Sequence, residues 1–309
     1  MPTLSIKASG FVDPYKAVNG TRTISVSKRQ LMKFAASIGL PILRAASPTT
    51  RHAVALAIYK SLAIKCAVDF SSPSICRPSE YEHMDQSEKA NISYWTGMTF
   101  AALLADECLG VSRLVHATAF GRLRLARVNP RSRRLADLVG QDDAGAWHIV
   151  ESKARQTGAS GAVRADWKTQ AQTVATIDGV APATRSYSFT RVGQAYSTEL
   201  VDPQSEEQQR PVEIKFKQSA IIMGYYDPIL EWLSEGTATI ERGSVRLVMR
   251  RTAFDPVDGE FVFLGMTEDV MKKTKCKELP QRQDSKDLTD TYIGSDGLAI
   301  ITSSKEALS

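Results

Sequence analysis

Apolar residues recur at helical spacing in three early stretches of the chain. From Ser27, with Gln30 three residues on, a capping-box pattern precedes Leu31, Met32, Phe34 and Ala35, so the spacing predicts a short helix ending near Gly39 and Pro41. A second helix is expected after Ser47, Pro48 and Thr49, running to about Val68 with Val54, Ala55, Ile58, Leu62, Ile64 and Ala67 buried. A third begins near Ser87 and stops at Gly110. Its Ile92, Trp95, Phe100, Leu103 and Leu104 spread around much of the circumference, which predicts packing on more than one side. Residues 1–25 mix Gly, Pro, Ser and Thr and read as loop or short strands, and the Ser- and Pro-rich stretch 71–79 reads as a linker.

The period then changes. Val111 to Ala117 reads as a strand, and Gly121 to Val128 alternates Arg with Leu, the pattern of a half-exposed strand. Leu135 to Gly140 and Trp147 to Lys153 are β-like runs separated by Gln141, Asp142, Asp143, Ala144 and Gly145, whose turn chemistry predicts a hairpin. A helix over 166–177 and a strand over 186–192 follow. The last third predicts a polar loop, a helix over 219–233, strands over 244–253 and 261–265 around a turn, an exposed charged stretch over 272–287, and a closing hairpin-like pair in TYIGSDGLAIIT. No repeat of fixed period is present. The order implies an α/β protein in three parts: a basic helical region 1–80, a core 81–204 and an α+β region 205–309.

At 309 residues, 43% hydrophobic and 24% charged, the chain has ordinary globular composition, which excludes a collagen-like, disulfide-framework or wholly disordered protein. The net charge of +5 is unevenly placed. Residues 1–80 carry 11 basic and 3 acidic side chains, residues 81–204 carry 14 and 13, and residues 205–309 carry 14 and 18. Between Arg113 and Arg134 lie seven arginines and no acid: Arg113, Arg122, Arg124, Arg127, Arg131, Arg133 and Arg134. Like charges crowd unfavourably without a counter-charge, so an anionic partner is expected there. The four cysteines form no CxxC pair, and the N-terminus lacks the apolar run of a secretory signal, which favours a reducing cytoplasm. The most apolar stretch, His52 to Phe70, is interrupted by Lys60 and Lys65, so no membrane span is expected.

Side chains at i and i+2 of a strand share a face, so Glu151 and Lys153 point the same way and the hairpin can bring Asp137 beside them. Two carboxylates at one sheet edge suit a hard cation such as Mg²⁺, beside which a lysine ammonium can orient a water or offset negative charge on a phosphate. Asp137, a turn, then Glu151-Ser152-Lys153 resembles the PD-(D/E)xK nuclease superfamily over roughly residues 87–203, with Ala136 standing where the family name has Pro. The resemblance implies a restriction-endonuclease-like αβββαβ core with a helical N-terminal extension and an α+β C-terminal extension. It also implies metal binding by Asp137 and Glu151, with Mg²⁺ replaceable by Mn²⁺, and assistance to the attacking water from Lys153. Relatives place an active-site Gln on the helix after the ExK strand, which points to Gln170, with Gln172 also on that helix. A Glu of the first helix commonly completes the metal site, for which Glu88 is the first candidate and Glu107 the second.

The expected function is therefore a metal-dependent nuclease cutting phosphodiester bonds, with DNA the first choice of substrate and bacterial restriction, repair or anti-phage defence as settings by analogy. The Arg113–Arg134 segment and the basic N-terminal helices are expected to hold the backbone by phosphate contacts. The competing reading is a catalytically silent nuclease-fold protein that binds nucleic acid or serves as a scaffold. A third has the N-terminal helices and acidic C-terminal region form a homo-oligomer or recruit a partner protein. Asp142 and Asp143 are better explained by turn hydrogen bonding than by metal, His148 by packing, His116 by burial or capping, and Trp147 and Trp167 by the core. No phosphate loop, GxGxxG, nucleophile elbow, HExxH or zinc spacing is present.

Overall fold

The structure is a computed structural model, and it describes residues 1–38, 50–117, 135–203, 212–215, 224–255 and 258–306. The chain opens with strands β1 (Thr3–Ser9) and β2 (Gly20–Ser25) and helices α1 (Lys28–Ser37), α2 (Thr50–Ala67) and α3 (Gln86–Leu109). Next come β3 (Leu114–His116), β4 (Leu138–Gln141), β5 (Trp147–Arg155), α4 (Gly161–Ala171), β6 (Val174–Ile177), β7 (Thr184–Arg191), β8 (Ser197–Val201) and β9 (Val212–Ile214). The last third holds α5 (Asp227–Ser234), β10 (Ala238–Arg242), β11 (Val245–Asp255), β12 (Glu260–Thr267), α6 (Glu268–Lys275), β13 (Lys286–Asp287), β14 (Thr291–Ile293) and β15 (Leu298–Ser303).

The architecture is mixed α/β. Among the described residues a seven-stranded sheet runs β2-β1-β8-β7-β5-β4-β3 and a six-stranded sheet runs β10-β11-β12-β15-β14-β13, with β6 and β9 pairing apart from both. In the larger sheet β3, β4 and β5 form an antiparallel meander, and β5 then pairs parallel to β7, with α4 in the crossover. Helices α3 and α4 both pack on β5 and β7. Gly97 of α3 lies against Ser152 and Ala154, on one face of β5. Trp167 of α4 packs on Tyr187 and Phe189, which pair with Glu151 and Lys153 on the other face.

Local chemistry explains the helix ends. Ser27 and Gln30 form the expected capping box of α1. Asp85 and Glu88 form another at α3, and Gly110 closes α3 in the left-handed region (φ 69°), which a residue without Cβ adopts at little cost. The middle of α3 is buried all round, as its dispersed apolar pattern predicts.

Two expectations need correction. Residues 1–80 are not helical throughout, because Leu4, Ile6 and Ala8 alternate inward on β1, which pairs parallel to β8 and carries the N-terminal hairpin into the main sheet. The helix expected over 166–177 ends at Ala171: the β-branched Val174 and Ile177 are buried against Val212 and Ile214, and strand pairing with β9 wins. The charged stretch 272–287 is largely exposed, as expected, and is anchored at a few points: Thr274 of α6 is buried, and Arg282 is tied to Asp106 near the end of α3. The strand expected over 121–128 lies outside the described residues. No helix among the described residues is long and apolar enough to cross a membrane.

Candidate metal-dependent cleft

The β4–β5 turn is set by Asp142, which accepts the Ala146 N–H (2.8 Å) while its carbonyl accepts the Gly145 N–H. The turn fixes the register Leu138 with Val150. Because β4 starts at Leu138, β5 runs on past Val150 without that neighbour, and its free edge is taken by the Asp137 side chain. Asp137 Oδ2 accepts the Ser152 N–H at 3.0 Å, and the Asp137 N–H donates to Glu151 Oε2 at 3.0 Å. The two carboxylates are thus held side by side by reciprocal bonds to the backbone. Lys153, two residues along the same face, donates to Glu151 Oε1 and to Gln170 Oε1, the latter at 3.2 Å. The fold therefore brings Asp137, Glu151, Lys153 and Gln170 together, whereas Gln172 turns away to donate to the Pro203 carbonyl.

Burial and the neighbouring Asp137 charge push the Glu151 carboxyl up to about 7, against the pull of Lys153. Glu151 is 0% exposed, so its charge is costly unless a cation compensates it. Asp137 and Lys153 open onto a cleft of 560 Å³ lined also by Lys89, Tyr94, Arg155 and Gln156. Burial, then the charges of Asp137 and Glu151, hold the Tyr94 phenol above its usual range, so it stays protonated and able to donate.

The chain matches no family model, no curated protein and no solved structure. The site is thus judged by its chemistry. Its donors are two hard carboxylates, Asp137 lining the cleft and Glu151 buried beside it with a single ammonium as its cation. Among the described residues no group of three acidic, His or Cys side chains converges. That set fits Mg²⁺, which is held by one or two carboxylates and keeps several waters, and does not fit a zinc cage.

Other expected residues fall elsewhere. Glu88 accepts the Asp85 N–H (2.9 Å) at the start of α3, so it caps the helix instead of joining the cleft. Glu107, near the other end of α3, receives the Gln30 amide (3.4 Å). Arg113 is 5% exposed and donates to the Tyr226 hydroxyl (2.7 Å) and the Pro280 carbonyl, which removes it from any nucleic-acid surface: a buried phenol and a carbonyl satisfy its charge-bearing donors. Arg122, Arg124, Arg127, Arg131, Arg133 and Arg134 lie outside the described residues. The N-terminal helices are also less available to phosphate than their charge suggests. Lys28 and Lys65 pair with Asp258, Lys65 with Asp255, Arg29 with Asp287 and Lys33 with Asp296.

His148 is buried, with Nδ1 2.9 Å from Thr184 Oγ1, and Trp147 and Trp167 are core residues, as expected. His116 ends β3, and burial followed by the Lys60 charge holds its imidazole below the usual range. Sequence reasoning missed Tyr94 and Gly97. A Cβ on Gly97 would lie 3.0 Å from Ala154 Cβ and 3.2 Å from Ser152 Oγ, so the glycine lets α3 approach β5 closely. Tyr94, three residues earlier on the helix, then reaches the cleft. Their i, i+3 spacing within SYWTGM was the available signal.

Proposed function

We propose that the protein is a metal-dependent nuclease that hydrolyses phosphodiester bonds in DNA. The observation that carries this reading is the convergence of Asp137, Glu151 and Lys153, with Gln170, at the free edge of β5 beside a cleft also lined by Lys89 and Arg155. The succession α3, β3, β4, β5, α4, β7 supports a restriction-endonuclease-like αβββαβ core, with β6 set aside in its own small sheet.

Asp137 and Glu151 would hold Mg²⁺, which supplies Lewis-acid polarisation of the phosphate and a more acidic water. Lys153 keeps its ammonium fixed through Glu151 and Gln170 and has a third N–H to offer to a phosphate oxygen or a water. Its charge then stands where negative charge develops. Lys89 and Arg155 would attract the phosphate backbone in a salt-dependent way. Restriction, repair or anti-phage defence are settings that such an activity would serve.

The test compares wild type with Lys153→Ala on supercoiled plasmid, single-stranded DNA and RNA, in Mg²⁺, Mn²⁺ and EDTA. Cleavage of DNA by the wild type that EDTA and the substitution both abolish is expected. Failure to cut any substrate in either metal, with salt-dependent binding retained, would replace the nuclease with a binding protein on the same frame.

A further inference from the structure

Aromatic rings are exposed beside the cleft in a way that the hydrolytic groups do not require. Tyr94 is 48% exposed and lines the cleft with Asp137 and Lys153. Its ring meets Trp95 edge-on, with centroids 4.8 Å apart, and the buried Lys60 ammonium sits 4.6 Å from the Trp95 ring centre, held by the Ile38 carbonyl at 2.8 Å. Tyr94 is therefore braced from behind while its outer part remains open. On the neighbouring helix Tyr59 is 47% exposed, and its hydroxyl donates to Asn91 Oδ1 (3.3 Å), three residues before Tyr94. Two braced, half-open tyrosines thus lie along the α2–α3 surface that leads to the carboxylates.

From this arrangement we infer that the substrate enters the cleft as an unpaired single strand of DNA, with a base stacked on Tyr94 and a further base able to reach Tyr59. The inference rests on the nuclease reading for what happens to the strand, but the stacking surface stands on its own geometry. In a duplex the base faces are already stacked on one another, and only groove edges and backbone are offered to a protein. An exposed phenol ring gains little from those, whereas an unstacked base presents a π-face of matching size. Lys89, Lys153 and Arg155 in the same cleft supply the charge that follows a phosphate backbone past such a ring. Ring and cations together form a short stacking platform in a cleft that Asp137 also lines.

Two separately scored measurements test this. Binding of the full-length protein to a labelled oligonucleotide, single-stranded or hybridised to its complement, is followed by fluorescence anisotropy in EDTA so that strand hydrolysis does not intervene. The single strand is expected to bind more tightly than the duplex. Tyr94→Ala should weaken single-strand binding by roughly tenfold, the size of one lost base–aromatic stack, and weaken duplex binding much less. Tyr94→Phe, which keeps the ring and removes the hydroxyl, should restore most of the lost affinity, and Tyr59→Ala should show a smaller loss of the same kind. Circular dichroism melting confirms that each variant is folded. Equal or tighter duplex binding, no measurable binding, or a Tyr94→Ala protein that binds the single strand as the wild type does would each overturn the inference. Cleavage in Mg²⁺ is scored apart: a duplex-cutting enzyme with no strand preference would sink the inference and leave the nuclease standing. Ring-dependent single-strand binding without any cleavage would do the reverse.

Discussion

Charge is concentrated in two regions of this molecule, and they treat it in opposite ways. Along the seam between α1, α2 and the C-terminal sheet, basic residues of the N-terminal third meet acidic residues of the last third and are used up. At its centre Lys33 Nζ lies 2.7 Å from Asp296 Oδ2 with both side chains fully buried, and Asp296 also receives the Tyr225 hydroxyl and, at its carbonyl, the Tyr226 hydroxyl (2.8 Å). At the free edge of β5, two carboxylates lie side by side next to an open cleft with one ammonium, Lys153, paired to Glu151, and burial and the Asp137 charge hold Glu151 above its ordinary range. The first region pairs its charges internally and so joins parts of the fold. The second sets carboxylates and an ammonium beside an open cleft, the arrangement that the proposed cation and anionic substrate would use.

Breaking the seam should cost the most stability. Lys33→Ala leaves the buried Asp296 without its cation, and a loss of about 3–5 kcal/mol in urea denaturation is expected, with cleavage per folded molecule retained. A loss below about 1 kcal/mol would show that the pair does not hold the seam. The opposite pattern is expected at the cleft: Lys153→Ala should lower the cleavage rate in Mg²⁺ by roughly 100- to 1000-fold, while stability falls less than in Lys33→Ala because Glu151, already raised to about 7, takes up a proton when its cation is removed. A proportionate fall in both would make the cleft residues structural, like those of the seam.

Lys60 sharpens the comparison through pH. Burial lowers its ammonium to about 8 in the native protein, whereas the unfolded chain keeps the proton to an ordinary lysine value of 10.5. Between these values the unfolded state binds more protons, so stability should rise with pH from about 8, on the order of 2 kcal/mol by pH 10. Above that, the buried tyrosines Tyr225 and Tyr226, held protonated by burial, favour unfolding as pH rises and reverse the trend. Denaturation of wild type and Lys60→Met across this range should show the rise only in the wild type. The smallest effect is expected at Gly97. Gly97→Ala gains about 1 kcal/mol of helix propensity but crowds Ser152 and Ala154, so stability should change by less than that. Cleavage should nevertheless fall severalfold as α3 and Tyr94 move off β5, and an unaltered rate would separate the helix spacing from the chemistry.

Much of this was legible along the chain. Capping at Ser27, the Gly110 stop, the hairpin around Asp142 and the closing β14–β15 pair follow from residue types and spacing, because each depends on neighbours within a few positions. The same locality put Glu151 and Lys153 on one face and Asp137 within their reach. Gln170, seventeen residues beyond Lys153, was found only through the family resemblance, and the fold places it at 3.2 Å.

Residue types and spacing alone set most of the elements and the chemical inventory of the hairpin, since backbone periodicity and turn chemistry are local. Which charges are spent and which remain depends on long-range packing. Arg113 reads as part of a basic run, yet folding buries it against Tyr226 and Pro280. Glu88 reads as a ligand, yet it satisfies a backbone N–H at the start of α3. The basic N-terminal helices read as a phosphate surface, yet their lysines meet acids some two hundred residues away in the chain. Pairing of that kind depends on which surfaces the sheets and helices bring into contact, and composition along the chain does not encode those contacts locally.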